Sequence, residues 1–304
     1  MSRRLVFRIL AGLGVIVLLL AAAGLVVIRQ TGLWGIVFPS HSHETAPPEL
    51  PADLTRPAIL LFTKTNSFRH IAAIEASAPL FAEIARRRGA SLFHTENSAT
   101  FSPELLARFD VVVFANASGD TLSDEQDAAF AAWLEAGGGW VGIHAAGDGS
   151  HEDWTWYVDN LIGAKFIAHI MDPQFQTARL VIEDRGHPAT RALPEQWSHE
   201  EEWYSWESSP RDAGFHVLVS VDESSYSPPF SLGGREIDLR MGDHPAIWTG
   251  CVGKGRALYS ALGHQAAAYE SPEYQSVLEG AVAWAARLEG EGCDGSPPSP
   301  VEGS

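Results

Sequence analysis

Residues 137–148 read GGGWVGIHAAGD. The three glycines break any preceding helix. Trp140-Val141-Gly142-Ile143 is then a short apolar run of the kind that forms a strand covered on both faces. His144-Ala145-Ala146-Gly147-Asp148 follows as a sharp turn of small and polar residues. At such a strand–turn junction many α/β hydrolases and amidotransferases seat a Ser or Cys nucleophile, and here His144 holds the position. No GxSxG occurs in the chain, and neither Cys251 nor Cys293 follows a buried strand, so acyl-enzyme chemistry of that type is excluded. Gly137-x-Gly139-x-x-Gly142 has the letters of a dinucleotide fingerprint but precedes its strand instead of following it, which removes that reading too.

Working outward, Ala58–Phe62 and Val111–Ala115 are two more buried strand runs, and Ser91–Thr95 is a further strand candidate. Between them a helical pattern runs from Ile71 to Arg88 and stops at Gly89. Ser102-Pro103 opens a short helix, and Ser123 with Gln126 forms a capping box for a helix ending near Glu135. Strands alternating with helices predict a doubly wound parallel sheet. The second half changes character. Ala178–Ile182, Trp203–Trp206, His216–Val221, Ala246–Gly250 and Arg256–Ala261 read as shorter strands, several antiparallel, with Gly253-Lys254-Gly255 as a hairpin turn. Ser271-Pro272 opens a closing helix with Val277, Leu278, Ala281, Val282 and Ala285 on one face. The expected fold class is α/β, a doubly wound sheet with added antiparallel strands, preceded by one transmembrane helix.

Residues 1–9 form a basic leader carrying Arg3, Arg4 and Arg8, and 10–28 contain no charge. Nineteen residues at about 1.5 Å each span a hydrocarbon core of roughly 30 Å. Ala21-Ala22-Ala23 offers a cleavage-like site, but the apolar run continues past it to Ile28, so an uncleaved signal anchor is expected. The arginines would keep the amino side cytoplasmic and turn the rest of the chain outward, to the periplasm or exterior. Residues 29–55 are rich in proline and are expected as an extended stalk, in which His41 and His43 are solvated. The folded domain is expected over 56–290, and 291–304, rich in Gly, Ser and Pro, as a disordered tail. Formal net charge is −17, although the leader is basic. So acidic a surface repels phosphate backbones and excludes nucleic acid as a partner. Two cysteines without a CxxC pair exclude zinc ribbons and thioredoxin-like motifs, and leave a single disulfide open.

Ligands of open α/β sheets bind beyond the carboxyl ends of the strands. That rule nominates three loops: Thr65–His70, with Asn66, Arg69 and His70; Asn116–Asp120; and His144–Asp148. Further candidates are His169, His199 with Glu200-Glu201-Glu202, and His264 after the last strand. Imidazoles and carboxylates serve as general acids and bases or as ligands of divalent ions. No HExxH or HxH spacing occurs within the domain, so a metal site would have to be assembled across loops. His187 and His244 precede proline and read as turn residues.

The stretches TKTNSFRH (63–70), GGGWVGIHAAGD (137–148), DWTWYVDNLIGAKFIAH (153–169), EEWY (201–204) and GKGRALYSALGH (253–264) together resemble the ThuA-like, or trehalose-utilisation, family. The resemblance covers nearly all of 56–290 with the elements in family order. It implies a flavodoxin-like fold of the class I glutamine amidotransferase type without the amidotransferase nucleophile, and a role in disaccharide or glycoside catabolism. Carried over by position, it marks Arg69, His70, His144, Asp148, Trp154, Tyr157, His169, Glu202, Tyr204, Arg256 and His264. The family pattern commonly has His-Pro where this chain has His169-Ile170.

The expectation is a membrane-anchored enzyme acting on a small carbohydrate, such as a 3-keto-glycoside, by acid/base chemistry. His144, His264, His70 and Glu202 are the catalytic candidates. Arg69, Asn66, Asp148, Trp154, Tyr157, Tyr204 and Arg256 are the substrate-binding candidates, the aromatic ones facing a sugar ring. Two alternatives stand beside it. One is a metal-dependent hydrolase holding a divalent ion such as zinc on His144, His169, Glu202 and His264. The other is a non-catalytic sugar-binding or scaffold module.

Overall fold

The computed structural model describes residues 3–293. Its helices are α1 (Arg3–Gln30), α2 (Trp34–Val37), α3 (Ile71–Arg88), α4 (Pro103–Leu106), α5 (Asp124–Glu135), α6 (Thr155–Tyr157), α7 (Ala266–Glu270) and α8 (Pro272–Ala285). Its strands are β1 (Ala58–Phe62), β2 (Ser91–Thr95), β3 (Val111–Ala115), β4 (Gly139–Ile143), β5 (Phe166–His169), β6 (Gln176–Ile182), β7 (Trp197–Glu201), β8 (Tyr204–Trp206), β9 (His216–Asp222), β10 (Pro229–Leu232), β11 (Arg235–Asp238), β12 (Pro245–Val252) and β13 (Gly255–Ser260).

One nine-stranded sheet runs β2-β1-β3-β4-β13-β12-β9-β6-β7. From β2 to β13 every pairing is parallel, and from β13 to β7 every pairing is antiparallel. The parallel part has the flavodoxin-like order, with β13 as its fifth strand. Each parallel strand serves two cores because alternate side chains point to opposite faces. Ile59 and Leu61 of β1 pack under α3 and α8 with Phe81, Ile84, Val277 and Leu278. Leu60 and Phe62 pack on the other face with Phe101, Phe130, Leu134 and Tyr157. The periodicities predicted for α3, α5 and α8 are observed, as is the Ser123–Gln126 capping box. A small separate sheet pairs β5 with β8, setting His169 opposite Tyr204.

Three expectations about the flanks change. Helix α1 extends over 3–30, none of its residues buried. Residues 39–55 do not stand free as a stalk; they lie along the domain. Lys64 pairs with Glu44 at 2.6 Å, Gln126 Nε2 donates to the Glu44 carbonyl at 2.9 Å, and Leu54 is buried in the core. His41 and His43 both reach Asp120, at 2.8 and 2.9 Å. Proline removes backbone donors but leaves carbonyls and side chains free to bind, so a proline-rich segment can still dock. At the other end Cys293 is bonded to Cys251, with Cα atoms 5.2 Å apart, so residues 291–293 belong to the fold. The rest of the expected tail, 294–304, lies outside the described residues.

Candidate functional site

The parallel strands deliver three of the four side chains that meet at one point beyond their carboxyl ends. His70 follows β1 and stands at the start of α3, His144 follows β4, and His264 follows β13. Glu202 comes from the break between β7 and β8. One ligand atom from each of His70, His144, Glu202 and His264 lies within 4.8 Å of all the others.

His144 is held in three ways. Its backbone adopts φ +49°, the left-handed conformation that strand-to-turn elbows use and side chains other than glycine resist. Tyr259 donates its hydroxyl to the His144 carbonyl at 2.7 Å. His144 Nδ1 sits 2.8 Å from the Ala261 carbonyl, which can only accept, so Nδ1 carries the proton. In the neutral ring Nε2 then carries the lone pair and faces the cluster centre. There it meets His264 Nδ1 at 3.0 Å, Glu202 Oε2 at 3.4 Å and the Tyr204 hydroxyl at 2.9 Å.

Glu202 and His264 are positioned by their neighbours. Glu202 Oε2 lies 3.0 Å from His264 Nδ1; Oε1 lies 3.0 Å from His169 Nδ1 and accepts from Gln174 at 2.5 Å. The carboxylate of Glu201 turns the other way and accepts the backbone N–H of Gly263 at 2.7 Å and of His264 at 3.3 Å. Both glutamates are thus buried and engaged, where an exposed acidic face would be the ordinary outcome for a Glu-Glu-Glu run.

Burial disfavours the charged forms of His70, His144 and Glu202. In His70 burial dominates, reinforced by His144 and His264, and its pKa falls well below the usual histidine range. Burial pulls the same way in His144, but hydrogen bonding to Glu202 and the nearby Glu201 charge outweigh it and raise its pKa. Burial would raise Glu202, yet His144 and His264 hold it far below the usual carboxylate range. His70 Nδ1 is buried without a hydrogen-bond partner among the described residues. Its ring stands edge-on to those of His144 and His264, with centroids 4.8 and 4.5 Å away. A buried imidazole nitrogen with no partner costs free energy unless something outside the chain satisfies it.

A cavity of about 450 Å³ opens onto the cluster. Its wall includes Phe68, Phe166, Met171 and Tyr204 on the apolar side, with Asp148, His169 and Gln174 as polar groups. Of the catalytic candidates, His70, His144, Glu202 and His264 converge. Of the metal candidates, His169 faces the opposite oxygen of Glu202, and the fourth member of the compact cluster is His70.

The substrate-binding candidates divide. Tyr204 and Asp148 line the cavity, and Asp148 accepts from Ser150 N at 2.8 Å. Arg69 is turned away into an ion pair with Glu96 at 2.6 Å, and Asn66 donates to the backbone carbonyls of Asp120 and Ser42. Trp154 stacks on Trp156, packs at a tilt against Tyr157 and borders a different cavity, lined by His41, His43, Asp120 and Asp127. Tyr157 is wholly buried, its hydroxyl given to the Ala146 carbonyl, so it cannot face a sugar. Arg256 lies at the start of β13, far end from the site. It is buried, donating to the carbonyls of Trp284, Glu289, Gly290 and Gly292. The sequence reading missed Phe68, Phe166, Met171 and Gln174 as cavity residues, and Glu201 as the carboxylate that orients His264. The alternation Trp197, His199, Glu201 along β7 was the available signal for Glu201.

The sequence model of the family described as ThuA, trehalose utilisation, matches residues 58–285. No curated protein matches the chain. Among solved structures, a ThuA-like protein from Bacteroides uniformis ATCC 8492 superposes with a TM-score of 0.66 at 24% identity, covering 79% of this chain and 95% of that one. A ThuA-like protein from Parabacteroides merdae ATCC 43184 gives 0.58 at 17% identity, covering 77% and 91%. At these identities the likeness concerns the fold.

Proposed function

Because the chain belongs to the ThuA, or trehalose-utilisation, family, we propose that it is a carbohydrate-processing enzyme built around a divalent-cation site on His70, His144, Glu202 and His264. The observation that carries this reading is the convergence of four ligand atoms within 4.8 Å, with His70 Nδ1 buried and unpartnered among the described residues. Three imidazoles and one carboxylate are an ordinary donor set for zinc and similar ions, each imidazole giving up any proton on the ligating nitrogen as the ion binds. The Ala261 carbonyl holds the Nδ1 proton of His144, which fixes the tautomer and aims Nε2, as a carbonyl behind a metal-bound histidine does.

Such an ion would polarise a carbonyl or hydroxyl oxygen of the sugar. The chain itself supplies the rest. Phe166 and Tyr204 offer apolar ring surface beside the cluster. His169 Nδ1 lies between two acceptors, Glu202 Oε1 at 3.0 Å and the Ile170 carbonyl at 3.2 Å, so its proton resides there and Nε2 is the basic nitrogen. A base beside a polarised oxygen suits proton abstraction next to a carbonyl, as a keto-glycoside would require.

Helix α1 is the anchor in this reading. Its 28 residues reach about 42 Å at roughly 1.5 Å each, past a hydrocarbon core of about 30 Å. Arg3, Arg4 and Arg8 favour a cytoplasmic amino end. The Cys251–Cys293 disulfide suits an oxidising compartment on the other side.

The test combines elemental analysis of the full chain with proton NMR during incubation with disaccharides and their 3-keto derivatives. Stoichiometric metal, and turnover lost on chelation and in Glu202→Gln, are expected. Turnover that persists in metal-free protein would instead favour direct acid/base catalysis by the closed His144–Glu202–His264 contacts. Sugar binding without turnover would leave a binding module.

A further inference from the structure

The end of α1 is built onto the rim of the histidine cluster. Beyond Gln30 the chain passes through Thr31-Gly32-Leu33 into α2 and lies against the loop that ends at His70. The Gly32 carbonyl accepts the Arg69 N–H at 2.9 Å. A Cβ at Gly32 would fall 2.1 Å from the Arg69 carbonyl oxygen, and one at Gly35 would fall 2.2 Å from that of Ser67. Backbone rests directly on backbone at two points three residues apart, which only glycine permits.

Ile36 of α2 thereby joins the wall of the cavity containing His70, Glu202 and His264, beside Phe68, Phe166 and Met171. An adjoining cavity of about 510 Å³ shares Phe68, His70 and His264 and reaches Gln30 and Thr31, at the end of the apolar helix. The wall of the first cavity has an apolar, uncovered edge. Ile36 and Met171, both in the wall of the first cavity, are each 54% exposed, and Trp34 and Phe38 on either side of Ile36 border a separate cavity with Asn66 and Arg69. Arg29 lies over the Trp34 ring at 5.9 Å, and a cation with an aromatic ring at the end of an apolar helix suits the membrane–water interface.

With α1 across a bilayer, residues 30–38 and both openings fall in the headgroup layer, which is roughly 5–7 Å deep on each side. An apolar rim does nothing for a freely diffusing sugar. It favours a sugar carrying an alkyl chain by about fourfold for each methylene it buries. We propose that the substrate is the sugar headgroup of a membrane-embedded glycolipid, entering from the bilayer past Ile36 and Met171. This rests on the carbohydrate reading above and on α1 as a membrane span.

The test uses the full chain in phosphatidylcholine nanodiscs, with hydrogen exchange followed in residues 66–75 and 166–176. Three samples are compared: nanodiscs doped with monoglucosyl-diacylglycerol, undoped nanodiscs, and undoped nanodiscs with methyl glucoside at the same total sugar concentration. Two buried methylenes predict a preference of roughly tenfold or more for the glycolipid over methyl glucoside. Ile36→Asp should bring the glycolipid affinity down toward that of the free sugar. Equal protection by both sugars would overturn the glycolipid proposal and leave the carbohydrate reading standing. Equal protection by doped and undoped discs, without added sugar, would also overturn it, since the rim would then be meeting lipid alone. Protection by neither sugar would remove the proposal together with the carbohydrate reading beneath it.

Discussion

His144 Nε2 lies 3.0 Å from His264 Nδ1, although 120 residues separate them. The sheet imposes this proximity. Strands β4 and β13 are parallel neighbours, with Ile143 paired to Ser260, so the segments after both strands leave the sheet at the same edge. His70 arrives there from β1, and Glu202 from beyond the antiparallel half. Four segments distant in sequence therefore share one polar centre.

The cluster makes a prediction about Tyr204. Its hydroxyl touches His144 Nε2 at 2.9 Å while the ring lines the cavity, so it positions the imidazole and borders the substrate. That contact occupies the nitrogen a zinc ion would take, so Tyr204→Phe should bind zinc no more weakly than the unmodified chain. Competition titration against a chromophoric chelator measures it. Glu202→Ala removes a ligand atom and should weaken zinc binding by more than about tenfold. Unchanged zinc affinity in Glu202→Ala would exclude the proposed site.

Arg256 is a structural residue. Its guanidinium donates to four carbonyls around the end of α8 and lies 5.3 Å from the Trp284 ring centroid. Arg256→Met should cost about 3 kcal/mol in denaturant unfolding, because buried carbonyls lose a charged donor. Metal and sugar affinity should not change. A selective loss of sugar binding at full stability would restore the substrate role that its sequence position suggested.

Asp127 couples stability to pH. Burial first, then Asp120 and Asp124, push its carboxyl up to about 8. Between about pH 4 and pH 8 the folded chain keeps a proton that the unfolded chain has released, so its contribution to stability falls as pH rises and levels off above about 8. Asp127→Asn removes that dependence. Relative to the unmodified chain, the variant should be no more stable near pH 4 and about 1–2 kcal/mol more stable near pH 9, a figure discounted for partial exposure. Thermal melts across this range decide it; parallel curves for the two proteins would rule it out.

The disulfide closes a loop with a sequence separation of 42. Chain-entropy arithmetic gives about 4 kcal/mol for a loop of this size. Replacing both Cys251 and Cys293 by Ser should lower unfolding stability by roughly that amount, read from denaturant midpoints. An unchanged midpoint would mean that the 251–293 link is not formed in solution.

Much of the fold was legible in the linear sequence because its determinants are local. A five-residue apolar run such as Val111–Ala115 is a buried strand wherever it sits, and Ser123 with Gln126 caps a helix without tertiary help. The elbow at His144 was readable for the same reason, since a strand ending in a tight turn is a local pattern. The flanks were not. Composition marked 39–55 as extended, but whether Glu44 would find Lys64 depends on a residue 20 positions away.

The sequence alone determined the order of elements, the doubly wound parallel core, the apolar amino-terminal helix and the identity of His70, His144, Glu202 and His264 as candidates. The elements follow from periodicity and capping, which act over a few residues, and the candidates from their places after strand ends and from the family resemblance. Only the tertiary structure decided which candidates meet. It separated Tyr157 and Arg256 from the site, exchanged His169 for His70 in the compact cluster, and set Gly32 and Gly35 against the loop carrying His70. Those outcomes depend on strand order and on the sheet face each side chain points to, and a shift of one residue in a strand's register reverses that face. Neither quantity is written in any short stretch of the chain.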